Sequence, residues 1–119
     1  KNLNLNVLYL RNKDIKALSL CQKMEEVLSL SLRNNLFNHQ GLGEFAASPF
    51  FKNLKSLNLM DNSIGDKGVF LLSESESMSN LEVLNLENTG LTSTGILALS
   101  QSSYLKNIKE LNLNGNSFL

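Results

Sequence analysis

The stretch LKSLNLMDNSIGDKG, residues 54–68, decides the fold, because most of it returns as LEVLNLENTGLTSTG at residues 81–95. An offset of 27 residues aligns Leu57 with Leu84, whereas the positions between the leucines change. Self-similarity at a fixed period of about 20 to 50 residues is the sequence signature of a repeat architecture. We therefore treat the chain first as a stack of similar units.

The same offset extends beyond these two stretches. It aligns glycines at 41, 68 and 95. It also aligns asparagines at 35, 62 and 116, and Thr89 takes the fourth place in that column. A further leucine set, Leu5, Leu8 and Leu10, begins 22 residues before Val27. We therefore divide the chain into five units, the last incomplete, which are 5–26, 27–53, 54–80, 81–107 and 108–119.

Each unit predicts a short strand, a turn and a helix. The end of the pattern L-x-x-L-x-L alternates inward and outward residues, as a strand requires. Asparagines stacked in the next turn would satisfy backbone groups there, whereas Lys13, in the first unit, could not. Apolar residues at helical spacing then predict helices, with Thr92 or Ser93 as one N-cap and Pro49 ending the second unit's helix. For the shorter first unit we expect a 3₁₀ turn or loop over residues 15–19.

Stacking allows such units to bury their apolar side chains. A single strand–turn–helix unit cannot cover both its strand leucines and its helix face, whereas neighbouring units cover one another. The strands then form one parallel sheet, and the helices lie on the other side of it. Because helices are wider than strands, we expect the sheet on the concave face. The sequence thus predicts an α/β solenoid that forms a single domain over residues 1–119.

The pattern L-x-x-L-x-L-x-x-N resembles the leucine-rich repeat superfamily, and the match covers residues 5–119. The segment IGDKGVFLL, residues 64–72, is similar to the helix-bearing subclass typified by ribonuclease inhibitor. Similar I-G-D-x-G units occur in bacterial effector and receptor-type repeat proteins. The resemblance implies a protein-recognition module, because that is the role of most members of the superfamily.

Strand residues next to the inward leucines point outward on the concave face, so they are the candidates for contact with a partner. The predicted partner-binding residues are Val7, Tyr9, Arg11, Ser31, Arg33, Asn58, Met60, Val83, Asn85, Glu87, Glu110 and Asn112. Tyrosine and arginine dominate many binding energies, which singles out Tyr9, Arg11 and Arg33. The two arginines would lie one strand apart and repel, which favours an acidic partner or a nearby carboxylate. The alternative is an ordinary solvated face, with Val7 and Tyr9 packed under a capping segment.

Composition limits the other classes of function. Eleven basic and eleven acidic residues balance, so no global field draws the chain to nucleic acid or to an anionic membrane. No apolar run approaches the ~18 residues that a membrane span needs. A single cysteine and no Asn-x-Ser/Thr sequon favour an intracellular, cytoplasmic location, or the host cytosol for a pathogen effector. The single cysteine and the single histidine lie in different units, so we expect no metal, cofactor or catalytic residue.

We accordingly expect a non-catalytic module that binds a partner protein through its concave sheet. The alternatives are a regulatory or recognition part of a larger protein: a GTPase activator, a ubiquitin-ligase substrate receptor, or an innate-immune or pathogen-effector repeat domain. The sequence carries no amphipathic capping helix or cysteine cluster at either end. We therefore expect a piece of a longer array, or self-association through uncovered edge strands.

Overall fold

The computed structural model describes residues 1–118, in which short strands alternate with α-helices. The strands are β1 (Asn2–Asn4), β2 (Ser29–Ser31), β3 (Ser56–Asn58), β4 (Val83–Asn85) and β5 (Glu110–Asn112). The helices are α1 (Asn12–Ser19), α2 (His39–Ala47), α3 (Gly65–Ser73) and α4 (Ser93–Ser100). Short 3₁₀ turns lie at Gln22–Glu26, Pro49–Phe51 and Glu76–Met78. The chain thus repeats the predicted order of strand, turn and helix.

All five strands pair in parallel within one sheet, in the order β1-β2-β3-β4-β5. The register follows the sequence offset, so that Leu57 pairs with Leu84 across β3 and β4. Each helix packs against the helix of the next unit, α1 on α2, α2 on α3 and α3 on α4. The architecture is therefore the α/β solenoid that the leucine spacing predicts.

The leucine columns form one continuous core between the sheet and the helices. The central strand leucines, Leu30, Leu57 and Leu84, are at most 1% exposed. The next column, Leu32, Leu59 and Leu86, is completely buried, and the helices add Ile15, Leu42 and Val69. Burial of one such side chain contributes about 2 kcal/mol relative to its exposed state, so repetition of the column builds up the stability of the stack.

The expected strand at Leu8 and Leu10 is wrong. β1 lies further towards the N-terminus and pairs Leu3 with Leu30, so the 27-residue offset of the other units continues into the first one. Leu8 is exposed and Leu10 is partly buried against the core. The mistake arose because leucines at 5, 8 and 10 reproduce the spacing L-x-x-L-x-L in a register that the sheet does not use.

The expected turn or loop over residues 15–19 is also wrong, because α1 is a full helix over Asn12–Ser19. The longer register explains this helix. It aligns Ile15 with Leu42, and both side chains are completely buried in the core. A helix that reaches the core in this way covers its neighbour α2, as every other helix covers the next one.

The predicted asparagine ladder joins successive units. The Asn62 amide donates to Leu32 O at 2.8 Å and to Leu59 O at 3.1 Å. Its Oδ1 accepts from Asn35 N–H at 2.9 Å. Asn62 is only 2% exposed, so these bonds satisfy backbone groups that water does not reach. The ladder therefore fixes each turn to the turn before it.

Two units depart from the ladder. In the fourth unit the Thr89 hydroxyl donates to Leu86 O of its own unit, 2.8 Å away. In the first unit the offset puts Leu8, and not Lys13, in the asparagine column. Leu8 N–H donates to Asn35 Oδ1 at 3.0 Å. The first turn therefore receives a ladder bond but has no side-chain amide of its own in that column.

Both predicted helix boundaries are confirmed. Thr92 is the N-cap of α4, and its hydroxyl accepts from Thr94 N–H at 3.3 Å. The helix α2 ends at Ala47, with Ser48 as the C-cap directly before Pro49. The local rules for helix capping and for the residue before proline therefore suffice at these positions.

Two glycines of the column, Gly41 and Gly95, lie where a side chain of one unit caps the next unit's helix. Asn12 Oδ1 accepts from Gly41 N–H at 2.9 Å. Asp66 accepts from Thr92 N–H at 2.9 Å and from the Thr92 hydroxyl at 2.6 Å. A Cβ on Gly41 would lie 2.6 Å from Asn12 Oδ1, and a Cβ on Gly95 would lie 2.5 Å from Asp66 Oδ1. Glycine leaves room for the capping oxygen.

Replacing Asp66 by asparagine is expected to make the free energy of unfolding less sensitive to acid. Burial raises the pKa of Asp66, but bonds from the Thr92 hydroxyl, Thr92 N–H and Gly95 N–H outweigh it and lower the pKa below its ordinary value of 3.8. Ionised Asp66 therefore stabilises the folded state above the unfolded pKa. This contribution is lost as the pH falls through the lowered folded pKa.

Urea unfolding of wild type and Asp66→Asn from about pH 7 to about pH 3 measures this contribution. We expect the free energy of unfolding of the variant to fall less steeply with acid than that of wild type. Asn12 caps α2 as a neutral amide, so the asparagine variant should keep the fold. Glu44→Gln, which changes an exposed carboxylate on α2, is the control and should leave the slope unchanged. Parallel curves for wild type and Asp66→Asn would contradict the prediction.

Candidate protein-binding surface

Most of the predicted partner-binding residues share one face of the sheet, which we call the concave face. Six lie within strands: Ser31, Asn58, Val83, Asn85, Glu110 and Asn112. Three lie two residues beyond the ends of β2, β3 and β4, namely Arg33, Met60 and Glu87. Apart from exposed Glu110, these side chains are half-buried. The alternation of buried leucine with half-buried neighbour therefore puts nine of the twelve residues on one continuous surface.

The other three predicted residues lie elsewhere. Val7 and Tyr9 belong to the turn after β1, and Arg11 is the N-cap of α1. The expected repulsion between Arg11 and Arg33 on adjacent strands is therefore wrong. Arg33 instead lies beside a carboxylate, because its Nη1 is 3.9 Å from Asp61 Oδ2 in the next unit. The cause is again the register of the first unit, which moves these residues past the end of the strand.

The first unit contributes asparagines to the concave face that the sequence interpretation missed. In the observed register Asn4 pairs with Ser31, and Asn6 occupies the position equivalent to Arg33. Asn6 Oδ1 accepts from the Ser31 hydroxyl at 2.6 Å and from Arg33 N–H at 2.8 Å. The signal was present in the sequence, since Leu3 and Leu5 lie 27 residues before Leu30 and Leu32.

The concave asparagines use one side-chain oxygen to hold their own backbone. Asn58 Oδ1 accepts from Met60 N–H at 3.0 Å, and Asn85 Oδ1 accepts from Glu87 N–H at 2.9 Å. Asn112 makes the same bond to the N–H two residues later. These bonds fix the side chains at the ends of the strands. The surface that a partner would meet is therefore rigid. The side-chain amide NH₂ groups are the hydrogen-bond donors that these residues still offer.

Some of these amides also join neighbouring units. Asn58 Nδ2 donates to the Ser31 hydroxyl at 3.1 Å, and Asn112 Nδ2 donates to Glu87 Oε1 at 2.9 Å. Such bonds are exchangeable with bonds to a partner, because the groups lie at a half-exposed surface. The face therefore presents donors and acceptors in fixed positions.

Charge on this side of the molecule is mixed. Arg33 and Asp61 lie towards the N-terminal half, whereas Glu87 and Glu110 lie towards the C-terminal half. At the other ends of the strands Glu82 lies 3.8 Å from both Lys55 and Lys109. Exposed ion pairs of this kind stabilise a fold by at most about 1 kcal/mol. Their side chains are therefore free to exchange partners on binding.

A metal-binding cluster is not found within residues 1–118. No group of three or more His, Cys, Asp or Glu side chains there is placed to hold a metal ion. The same part of the chain has no helix of sufficient length and apolar character to cross a membrane.

Comparison with known families identifies the repeats. Residues 52–73 and 77–100 match the family model described as Leucine Rich repeat. These two stretches are leucine-rich repeats. No curated protein matches the chain. Leucine-rich repeats generally mediate interactions between proteins, which agrees with a rigid sheet face that carries varied side chains on a regular scaffold.

Proposed function

We propose that this protein binds a partner protein through its concave face and does so without catalysis. The observation that carries the proposal is the row of half-buried, varied side chains that alternate with buried leucines along the three inner strands of the parallel sheet. Such side chains are not needed for the core. They are also held in place by bonds to the backbone, which reduces the entropy that is lost on binding.

The centre of this face is the proposed contact region. Met60 and Val83 are half-buried apolar residues on adjacent units, but the register pairs Val83 with Ser56, so Met60 lies four residues further along the sheet. Asn58 and Asn85, which pair with each other, lie between them. The face therefore mixes apolar and polar contact groups, as protein interfaces do. With Arg33 at one end and Glu87 at the other, the face fits a partner of the opposite charge order.

Several wider roles fit a binding module of this kind. The repeats would serve equally as the recognition part of a GTPase activator, of a ubiquitin-ligase substrate receptor, or of an innate-immune or pathogen-effector protein. A ribonuclease-inhibitor-like subclass and a cytoplasmic location belong to the same proposal. Acceleration of GTP hydrolysis in a direct assay with purified GTPases would favour the first of these roles over a plain binding module.

Replacing Met60 and Val83 together by serine is expected to weaken binding of the partner at least tenfold. Each change removes apolar contact area from the proposed interface, and the apolar contacts that dominate binding typically contribute more than about 1 kcal/mol each. The partner would be obtained by affinity capture on the immobilised chain, purified, and titrated by calorimetry. Because both side chains lie outside the buried core, the fold should survive the change.

The matched control changes two exposed apolar residues on the helical side. Phe70 and Leu97 are 52% and 54% exposed on α3 and α4, so Phe70→Ser with Leu97→Ser alters a similar amount of apolar surface. We expect this variant to bind as wild type does. Loss of binding in the helical variant, with the Met60 and Val83 variant unaffected, would move the interface away from the sheet.

A further inference from the structure

The turn after β1 carries an exposed apolar patch. Val7, Leu8 and Tyr9 are 45%, 52% and 72% exposed, and Leu36 of the next unit is 55% exposed. The two turns are joined through their backbones, since Leu36 N–H donates to Leu10 O at 2.8 Å. We call Val7, Leu8, Tyr9 and Leu36 the turn patch. It lies beside the concave face and not on it.

Two residues of the turn patch have an unfavourable backbone conformation. Val7 has a φ of 54° and Tyr9 a φ of 57°, in the left-handed region that β-branched and bulky residues avoid. The residues at the position of Val7 in later units also have positive φ, and they are Asn34, Asp61, Asn88 and Gly115. Gly90 takes the position of Tyr9 in the fourth unit. Val7 is therefore a bulky residue where later units use types that tolerate this conformation. At the position of Tyr9, the second and third units have Leu36 and Ser63 without a positive φ.

Leu8 also differs in chemical character from the equivalent residues of later units. The equivalent residues are polar and form the ladder, and they are Asn35, Asn62, Thr89 and Asn116. Leu8 lacks such a bond and exposes about half of its side chain. Val7 and Leu8 thus stand where other units have locally favourable polar or glycine residues. Tyr9 adds another exposed apolar side chain, as Leu36 does at the same position of the second unit. Local strain and exposed apolar surface that are not explained by folding commonly mark functional sites.

Two basic residues, Arg11 and Lys13, follow the turn patch along the chain. Arg11 is the N-cap of α1 and Lys13 lies in its first turn, where the helix dipole favours acidic residues. The ion pairs formed within residues 1–118 include neither of these two side chains. The nearby Asp14 carboxylate is already bonded to Arg11 N–H at 2.8 Å. The cationic groups beside the patch are therefore available to a partner.

We propose that the turn patch, with Arg11 and Lys13, binds an acidic segment of a partner protein that also carries apolar side chains. The proposal rests on the proposed function, namely that this protein binds protein partners, and adds a second contact region to it. Charge complementarity selects the partner: Arg11 and Lys13 would pair with carboxylates, while Tyr9 and Leu36 cover apolar side chains. Tyr9 is the expected anchor, because tyrosine supplies a large contact area with little conformational freedom to lose.

The test uses a phage-displayed library of random twelve-residue peptides, selected on the immobilised chain. We expect the selected peptides to combine Asp or Glu with Phe, Leu or Trp. The diagnostic variant is Val7→Asn with Tyr9→Gly, which introduces the residue types of the fourth unit, Asn88 and Gly90. It removes the exposed side chains and relieves the strain, so its stability should be no lower than that of wild type. The affinity of the selected peptides should fall at least tenfold.

Two further variants separate the possible causes. Arg11→Glu with Lys13→Glu should weaken the peptides at least fivefold and reduce the salt dependence of their binding. Met60→Ser with Val83→Ser, which alters only the concave face, should leave their affinity within twofold. Basic selected peptides, or peptides that bind the Val7 and Tyr9 variant as tightly as wild type, would overturn the proposal. So would a concentration-dependent dimer in light scattering that this variant abolishes, because a second copy would then cover the patch.

The outcomes also separate this proposal from the proposed function. If the peptides lose affinity only for the Met60 and Val83 variant, the concave face is the binding site and the turn-patch proposal fails alone. If they lose affinity for none of the variants, neither proposal stands. Unfolding curves of every variant are measured alongside, so that a loss of binding is interpreted only for folded protein.

Discussion

Replacing Asn62 by alanine is expected to lower the free energy of unfolding by about 3 kcal/mol. The change deprives Leu59 O of its donor and Asn35 N–H of its acceptor, in a turn where Asn62 itself is 2% exposed, whereas Leu32 O keeps a bond from the Asn35 amide. A buried polar group left without a partner costs about 1 to 3 kcal/mol. Since a domain of this size is stable by only about 5 to 15 kcal/mol, the loss should be large in any unfolding experiment.

Urea unfolding monitored by circular dichroism measures this loss. The matched control is Asn80→Ala, because Asn80 also donates across units, to Lys52 O at 2.8 Å, but at an exposed site where water replaces it. We expect the control to cost less than about 1 kcal/mol. Asn62→Asp should be at least as harmful as Asn62→Ala at neutral pH, because a carboxylate cannot donate to the two carbonyls. An aspartate variant as stable as wild type would show that the amide donors are not what stabilises the turn.

The leucine columns show how much of the fold the sequence determines by itself. Leu57 and Leu84 stand at the same phase of a repeat, and burial of one implies burial of the other, so the parallel register followed from spacing alone. The ladder at Asn62 and the boundary at Pro49 followed from equally local chemistry. These features are predictable because each is determined by a residue type at a fixed position in its unit.

The first unit was not predictable from the leucines, because two registers satisfy the same pattern. The segment LNLNVLYL offers Leu3 with Leu5 and also Leu8 with Leu10 as the paired strand leucines. What decides between them is the helix that follows, since only the 27-residue offset puts Ile15 beside Leu42 in the core. Inspection of the helix column as well as the strand column would have found this register.

The sequence predicted which strand residues lie on the candidate surface, but not the hydrogen bonds and ion pairs that they form. Alternation with the leucines was enough to select Asn58 and Asn85 for the concave face. That each uses its Oδ1 to hold a backbone N–H, and that Arg33 lies beside Asp61, depends on side-chain placement across units. Spacing along the chain carries no information on such contacts, because they join residues whose distance is set by the packed helices and strands.

The role of the glycine column leads to the second large effect. Gly95→Ala is expected to lower the free energy of unfolding by about 2 kcal/mol, because overpacking of a closed site costs about 1 to 3 kcal/mol. The added Cβ would collide with Leu91 and would lie 2.5 Å from Asp66 Oδ1. Urea unfolding of this variant measures the loss.

The control is Gly43→Ala on α2, where the nearest atom is the flexible end of Leu71 at 3.3 Å. The control should change stability by less than about 1 kcal/mol, in the stabilising direction that helix propensity favours.

A double-mutant cycle with Asp66→Ala separates the carboxylate from the rest of the site. If the Cβ of residue 95 displaces the capping carboxylate, the cap is already lost in Gly95→Ala, and removal of Asp66 then costs little more and relieves one of the two collisions. The double variant should therefore be more stable than the sum of the single changes by at least about 0.5 kcal/mol. Additivity would mean that the collision with Leu91 accounts for the whole effect. The glycine would then be required by packing within its own unit, and not by the cap that the preceding unit supplies.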